Sequence, residues 1–241
     1  MYDLTSFSGS DLSNCGNQLR RIAWSCSSME EAAGKMVRHL YEQAADPKTS
    51  QKSCALVRFY KTHPYGGLDG ELQAFVRRVL GHEPESHATK CLTLLGTVGD
   101  RAEWNSRRSS VGHKAIPLPS EDFVTRLPMI ARLINQFGVE LSVVLKPAPA
   151  ILLDLAEKRY SAFHVLEAVG SPYIPAQEDF VLPHGIRSVL GFGGILTGGD
   201  LFAVILFAKV QLPRQTADLF ESLGLVVREA VAPFGGRAVF A

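Results

Sequence analysis

Hydrophobic and polar positions near the C-terminus follow first the spacing of strands and then that of a helix. Residues 201–210 (LFAVILFAKV) are almost entirely apolar, aromatic or β-branched, which predicts a strand buried on both faces. The preceding stretch 186–196 predicts a partner strand, and residues 197–200 (TGGD) supply a hairpin turn. Apolar residues then recur at helical spacing over 213–232, so a helix is expected to follow the hairpin.

Three glycines interrupt the predicted strand over residues 186–196. Gly191, Gly193 and Gly194 weaken a strand unless another group packs close to its backbone. That group is either a ligand or a helix. We favour a helix, because glycines within strands commonly mark close packing or a bulge.

The rest of the chain predicts helices and strands in alternation. Further strands are predicted at residues 55–61, 90–98, 141–145 and 161–168. Further helices are predicted within 10–46, at 71–80, at 120–138 with a break at Pro128, and at 151–158. Residues 99–119 lack periodicity, and a connection of this length is either functional or disordered. The prediction is a mixed α/β (α+β) domain over 1–241, with its sheet core at 52–211.

Composition, net charge and cysteine spacing indicate which binding partners and which cellular compartment to expect. Hydrophobic residues make up 46% and charged residues 20% of the chain, which is ordinary for a globular protein. The net charge of +1 favours neither nucleic acid nor an anionic membrane. The chain has no apolar run of membrane-spanning length and no signal-peptide pattern. Its four cysteines are widely spaced, as free thiols of a reducing cytoplasm would be.

Six residues are candidates for binding a ligand. They are Trp104, Arg107, His113, His164, Ser188 and Phe192. Trp104 and Arg107 lie in the charged connection, where they could form a wall for an anionic or planar ligand; the alternative is a loop anchor with a solvated arginine. Ser188 and Phe192 share one face of the predicted hairpin, which is either a pocket face or a packing face.

The two candidate histidines each have a second interpretation. His113 is a pocket donor or metal ligand, or it is an ordinary histidine of a surface loop. His164 alternates within an apolar strand, so it is an iron ligand or ligand contact, or a core histidine satisfied by the backbone. No pair of histidines has the spacing of a local zinc site.

The segment Gly-Ile-Arg-Ser-Val-Leu at 185–190, with two antiparallel strands and a closing helix, resembles the C-terminal half of a GAF domain. The middle of the chain resembles GAF-like sensor segments of bacterial signalling proteins, and the resemblance covers residues 28–233. It implies a central antiparallel sheet of about six strands with helices on its faces. It also implies a small-molecule pocket on one face, but no particular ligand.

Together these features predict a cytoplasmic sensory module that binds a small ligand between the sheet and residues 99–138. Haem or another planar group is one candidate cofactor. Helices within 10–46 and 213–232 would form a homodimer and relay ligand occupancy to a signalling partner or output domain. The alternatives are a small enzyme using Cys91 or His113, and a dimerisation scaffold without a ligand. The sequence lacks nucleophile-elbow and phosphate-loop motifs, which favours a function other than catalysis.

Overall fold

A computed structural model describes residues 1–146, 158, 160–235 and 239–240. The helices among these residues are α1 (Gly9–Trp24), α2 (Met29–Gln43), α3 (Gly70–Leu80), α4 (Glu121–Thr125), α5 (Pro128–Gln136), α6 (Leu141–Leu145) and α7 (Arg214–Val231). The strands are β1 (Cys54–Pro64), β2 (Lys90–Gly99), β3 (Ala115–Leu118), β4 (Phe163–Val165), β5 (Ser188–Ile195) and β6 (Leu201–Ala208). A π-helical turn, Gln177–Val181, precedes β5.

The described strands form one antiparallel sheet in the order β3-β2-β1-β6-β5-β4. Its two central strands, β1 and β6, are buried throughout most of their length. Helices cover both faces. The predicted mixed α/β class, with an antiparallel sheet of about six strands flanked by helices, is therefore confirmed.

Each face of the sheet has its own hydrophobic core, and β6 contributes to both. Phe202, Val204 and Leu206 point into the core under α1, α2 and α7, which we call the terminal-helix face. Ala203 and Ile205 point into the core under α4, α5 and α6, which we call the α5 face. The alternation follows from the two-residue period of a strand and confirms that this strand is buried on both sides.

The glycines of β5 allow close packing. A Cβ on Gly191 would lie 3.2 Å from Phe163 Cβ, and one on Gly194 would lie 2.5 Å from the Tyr160 ring. On the terminal-helix face, a Cβ on Gly224 of α7 would lie 3.2 Å from the Gly193 carbonyl oxygen. Close packing therefore surrounds these glycines, and the predicted helix packs against Gly193.

Helix boundaries follow capping residues that the sequence displays. The Ser28 hydroxyl accepts a hydrogen bond from Glu31 N at the start of α2, and Asp69 accepts one from Leu72 N at the start of α3. Gly81 ends α3 with a φ of 80°. The predicted break at Pro128 is confirmed, since α4 ends before it and α5 begins there.

Three sequence predictions of local structure need correction or restriction. Residues 141–145, predicted as a strand, form helix α6, because a short apolar run does not distinguish a buried strand from a buried helix. The connection 99–119 contains β3, whose Pro117 is tolerated because β3 is an edge strand. The predicted strand over 161–168 is only Phe163–Val165. The predicted helix over 151–158 falls almost entirely outside the described residues.

Candidate functional site

A buried arginine lies in the central strand β1, on the α5 face. Strand alternation places Arg58 on the same side as Leu56 and Tyr60, both of which belong to the α5-face core. Arg58 is only 8% exposed. Its Nη1 donates a hydrogen bond of 3.0 Å to Tyr60 Oη, and its Nη2 donates one of 3.1 Å to Ser110 Oγ. The guanidinium is therefore held by neutral groups.

Directly opposite Arg58 on β2 is Thr97, which is 6% exposed. The Arg58 Nε and Thr97 Oγ1 atoms are both buried and both lack a hydrogen-bond partner. No carboxylate of the described residues forms an ion pair with Arg58. Because arginine stays protonated in proteins, this is a buried charge without a described counter-charge. We call Arg58, Tyr60, Thr97 and Ser110 the Arg58 cluster.

A single turn, residues 106–110, supplies Ser110 and links the cluster to two helices. Ser110 N donates to Ser106 O over 3.1 Å, which closes the turn. In the same turn, Arg107 Nε donates to Glu30 Oε1 of α2 over 2.8 Å, and Arg107 Nη1 lies 3.4 Å from Asp69 Oδ2. The turn thus contacts the sheet through Ser110, and it contacts the starts of α2 and α3 through Arg107.

A cavity of about 210 Å³ adjoins the cluster, with Ser110 in the shared wall. Its lining includes Glu71, Phe75, Arg78, Arg108, Ser110 and Lys114. Three of the lining residues are basic and one is acidic, so the lining carries a formal charge of +2. Lys114 Nζ pairs with Glu71 Oε1 at 2.6 Å, and this hydrogen bond holds the pKa of Glu71 below its ordinary value.

The connection 99–119 does not bring Trp104 and Arg107 into one wall. Trp104 packs edge-on against His184 and Phe180, with ring centroids 4.6 and 5.7 Å away. Arg107 is buried in its ion pairs with α2 and α3 instead. His113 lies on the surface with a left-handed φ of 59°.

The other three candidate residues lie elsewhere and hold the segment that leads into α7. His164 Nε2 lies 2.9 Å from Leu212 O, while Leu212 N donates to Ser188 Oγ over 3.1 Å. Phe192 contacts Phe220 of α7 edge-on, with centroids 5.3 Å apart. These contacts fit the interpretation of His164 as a core histidine with a backbone partner and of Ser188 and Phe192 as part of the packing face.

The enzymatic alternative depends on a reactive cysteine or on a histidine such as His113. They contain no group of three or more His, Cys, Asp and Glu residues arranged to hold a metal ion. All four cysteines are unpaired. Burial raises the pKa of the Cys91 thiol to about 12, so it is uncharged at neutral pH and is not an activated nucleophile.

A second charged cluster joins the β5–β6 turn to strands β1 and β2. Lys61 Nζ and Lys90 Nζ each lie 2.6 Å from a carboxylate oxygen of Asp200. Burial raises the pKa of Asp200, but its interactions with the two lysines outweigh burial and hold that pKa below its ordinary value. Here both lysines share one carboxylate, so the cluster is a structural anchor for the hairpin.

Sequence reasoning missed the whole Arg58 cluster, although one signal was present. Within 55–61 (ALVRFYK), Arg58 occupies an alternate position between Leu56 and Tyr60, where a buried strand normally has an apolar side chain. Thr97 and Ser110 gave no such signal. Their role depends on strand register and on the path of a loop.

Comparison of the chain with models of known protein families gives no match, and a search of curated proteins finds none either. Among the described helices, none is long and apolar enough to cross a membrane.

Proposed function

We propose that this chain is a GAF-like sensory module that binds a small molecule on the α5 face, with the Arg58 cluster at the base of the ligand site. The observation that carries the proposal is the pair of buried atoms without partners, Arg58 Nε and Thr97 Oγ1. An unsatisfied buried polar group costs about 1–3 kcal/mol, and native proteins pair nearly all such groups. A ligand that bonds to both atoms would recover this energy on binding.

The fold supports the proposal without identifying a ligand. The antiparallel sheet with helices on both faces agrees with the architecture that the GAF resemblance implies. The Arg58 cluster lies between that sheet and the connection 99–119, part of the segment expected to cover a pocket. Its partners come from two strands and a loop, as is common for ligand sites placed by a rigid scaffold.

The turn 106–110 supplies a physical route from the site to the terminal helices. Ser110 bonds to Arg58 at one end of the turn, and Arg107 pairs with Glu30 of α2 in its middle. A ligand that favours one position of this turn would shift the population of α2 positions by its differential affinity. Occupancy would thereby reach a signalling partner or an output domain.

We also propose that the protein forms a homodimer through its terminal helices. The apolar stripes of α1 and α7 already lie in the core of the chain, so a dimer would use their outer sides. Trp24, at the end of α1, is 79% exposed and offers the largest apolar side chain there. Loss of dimerisation in Trp24→Ser, measured by light scattering, would support this contact, whereas a monomeric wild-type protein would exclude it.

The test of ligand binding combines native mass spectrometry of the protein as purified with thermal-shift measurements on a panel of neutral, anionic and planar metabolites. A ligand at about 100 times its dissociation constant stabilises by about 2.7 kcal/mol, which corresponds to roughly 5–10 °C for a chain of this size. The shift should shrink in Thr97→Val and persist in Thr93→Val, a buried threonine of the same strand. If no compound of any class binds, the ligand-free scaffold is the correct alternative.

A further inference from the structure

We infer that the ligand is a compact oxyanion, a small molecule with a carboxylate or phosphate group, which enters through the basic cavity and pairs with Arg58. This inference rests on the proposed function of the Arg58 cluster as a ligand site. It adds the charge, the chemical class and the entry route of the ligand.

The first argument compares the buried cations of the described residues. Three basic residues are buried there: Arg58, Lys61 and Arg107. Lys61 pairs with Asp200 at 2.6 Å, and Arg107 pairs with Glu30 at 2.8 Å. Arg58 has only the hydroxyl groups of Tyr60 and Ser110. Since a buried charge is normally paired, the missing partner of Arg58 is expected to be an anion supplied by the ligand.

The second argument is the geometry of the guanidinium donors. The Nε and Nη2 groups of arginine form a planar fork that matches the two oxygens of a carboxylate or phosphate. In Arg58, Nε has no partner, and Nη2 bonds only to the Ser110 hydroxyl, which also lies 3.3 Å from Gly112 O. The Thr97 hydroxyl, unpartnered on the opposite strand, is a further donor. An oxyanion would use all of these donors at once.

The third argument is the electrostatic character of the adjoining cavity. The chain as a whole carries a net charge of only +1, yet Arg78, Arg108 and Lys114 line this one cavity with a single carboxylate. A concave surface with an excess of one sign of charge raises the local concentration of the opposite ion. Because Ser110 belongs both to the cavity wall and to the Arg58 cluster, a shift of this side chain would connect the two.

The cavity volume restricts the size of the ligand. At about 210 Å³ it is smaller than the roughly 300–1,000 Å³ of pockets that hold drug-sized molecules. The site therefore favours a small anion over a large planar cofactor. Inorganic phosphate, acetate and succinate are suitable probes because they share the oxyanion chemistry and differ in charge and length.

The experiment titrates these three probes into the full chain at constant ionic strength and follows thermal stability and binding heat. Chloride controls for ionic strength, and succinamide is the neutral analogue of succinate. At least one oxyanion should bind saturably, and binding should weaken about tenfold or more in Arg58→Met. Arg108→Gln, at the exposed mouth, should weaken binding less. Arg20→Gln, on α1 and outside the cavity lining, should leave it unchanged.

The possible outcomes distinguish the oxyanion inference from the proposed ligand site on which it rests. Phosphate binding without carboxylate binding, or the reverse, supports the inference and identifies which oxyanion the site prefers. Equal oxyanion binding by wild type, Arg58→Met and Arg108→Gln would overturn it. Arg58-dependent binding of neutral compounds alone would overturn the ligand class but keep the site. If no compound of any charge binds, both proposals fail. Should Arg58→Met not fold, Arg58→Lys keeps the charge and removes the fork, and Arg108→Gln tests the entry route.

Discussion

Arg58 and Thr97 face each other across β1 and β2, and each carries a buried polar atom without a hydrogen-bond partner. The described residues contain three such side-chain atoms, and two of them meet at this one pair of positions. The third atom, His63 Nδ1, lies further along β1, whereas Thr93 on β2 donates to Cys91 O and Lys61 on β1 donates to Asp200. Two unsatisfied groups at directly opposed positions are the observation on which the proposed ligand site rests.

Thr97 and Thr93 of β2 provide a test of whether the Thr97 hydroxyl lacks a partner. Thr97→Val removes a hydroxyl that has no partner, so the unfolding free energy of the ligand-free protein should stay the same or rise by up to about 1 kcal/mol. Thr93→Val removes a satisfied hydroxyl and should lower it by about 1 kcal/mol. Urea unfolding measures both. Equal losses in the two variants would contradict the assignment of Thr97 as an unpaired group.

Two glycines at the contact between α2 and β2 should respond oppositely to alanine. A Cβ on Gly96 would lie 2.6 Å from the Ala33 carbonyl oxygen, so Gly96→Ala should destabilise by about 1–3 kcal/mol or more. Nothing lies within 4 Å of a Cβ on Gly34, a helical position of α2. Gly34→Ala should therefore stabilise by about 0.5–1 kcal/mol. Thermal and urea unfolding check the pair, and a neutral Gly96→Ala would show that α2 packs less closely.

The carboxylate of Asp200 should matter far more than that of an exposed aspartate. Asp200→Asn leaves Lys61, whose side chain is 4% exposed, without its counter-charge and should cost about 3–5 kcal/mol at neutral pH. Asp218 pairs with Arg214 at 2.8 Å on the surface of α7, so Asp218→Asn should change stability by about 0.5 kcal/mol or less. Similar losses in both variants would show that the Asp200 cluster is not a buried anchor.

Partly buried histidines should make the protein less stable in mild acid. Burial lowers the pKa of His39, His63 and His164, so the unfolded chain binds more protons than the folded one as pH falls. Stability should therefore decrease from about pH 7 to about pH 5. His164→Gln, which keeps a donor for Leu212 O, should show a shallower decrease in urea midpoints over this range. A wild-type protein with constant stability between these pH values would contradict the expected sign.

Local pattern was sufficient for the C-terminal hairpin and its helix. The continuous apolar run of β6 and the helical spacing of α7 are properties of short stretches, so both elements lie close to their predicted places. The same reasoning failed at residues 141–145, where a five-residue apolar run had no period long enough to separate strand from helix. It also missed β3, because proline-containing edge strands resemble loops in sequence.

The sequence by itself determined most of the helices and strands, the break at Pro128 and the burial of β6 on both faces, because each depends on residues within one or two turns of the chain. Only the tertiary structure decided that Arg58 faces Thr97. It also decided that the Ser110 hydroxyl, 52 residues further along the chain, accepts a hydrogen bond from the Arg58 guanidinium. Strand register and loop path come from the packing of the whole chain, and no local pattern encodes which distant polar group a buried arginine will meet. The candidate ligand site belongs to that second kind of information.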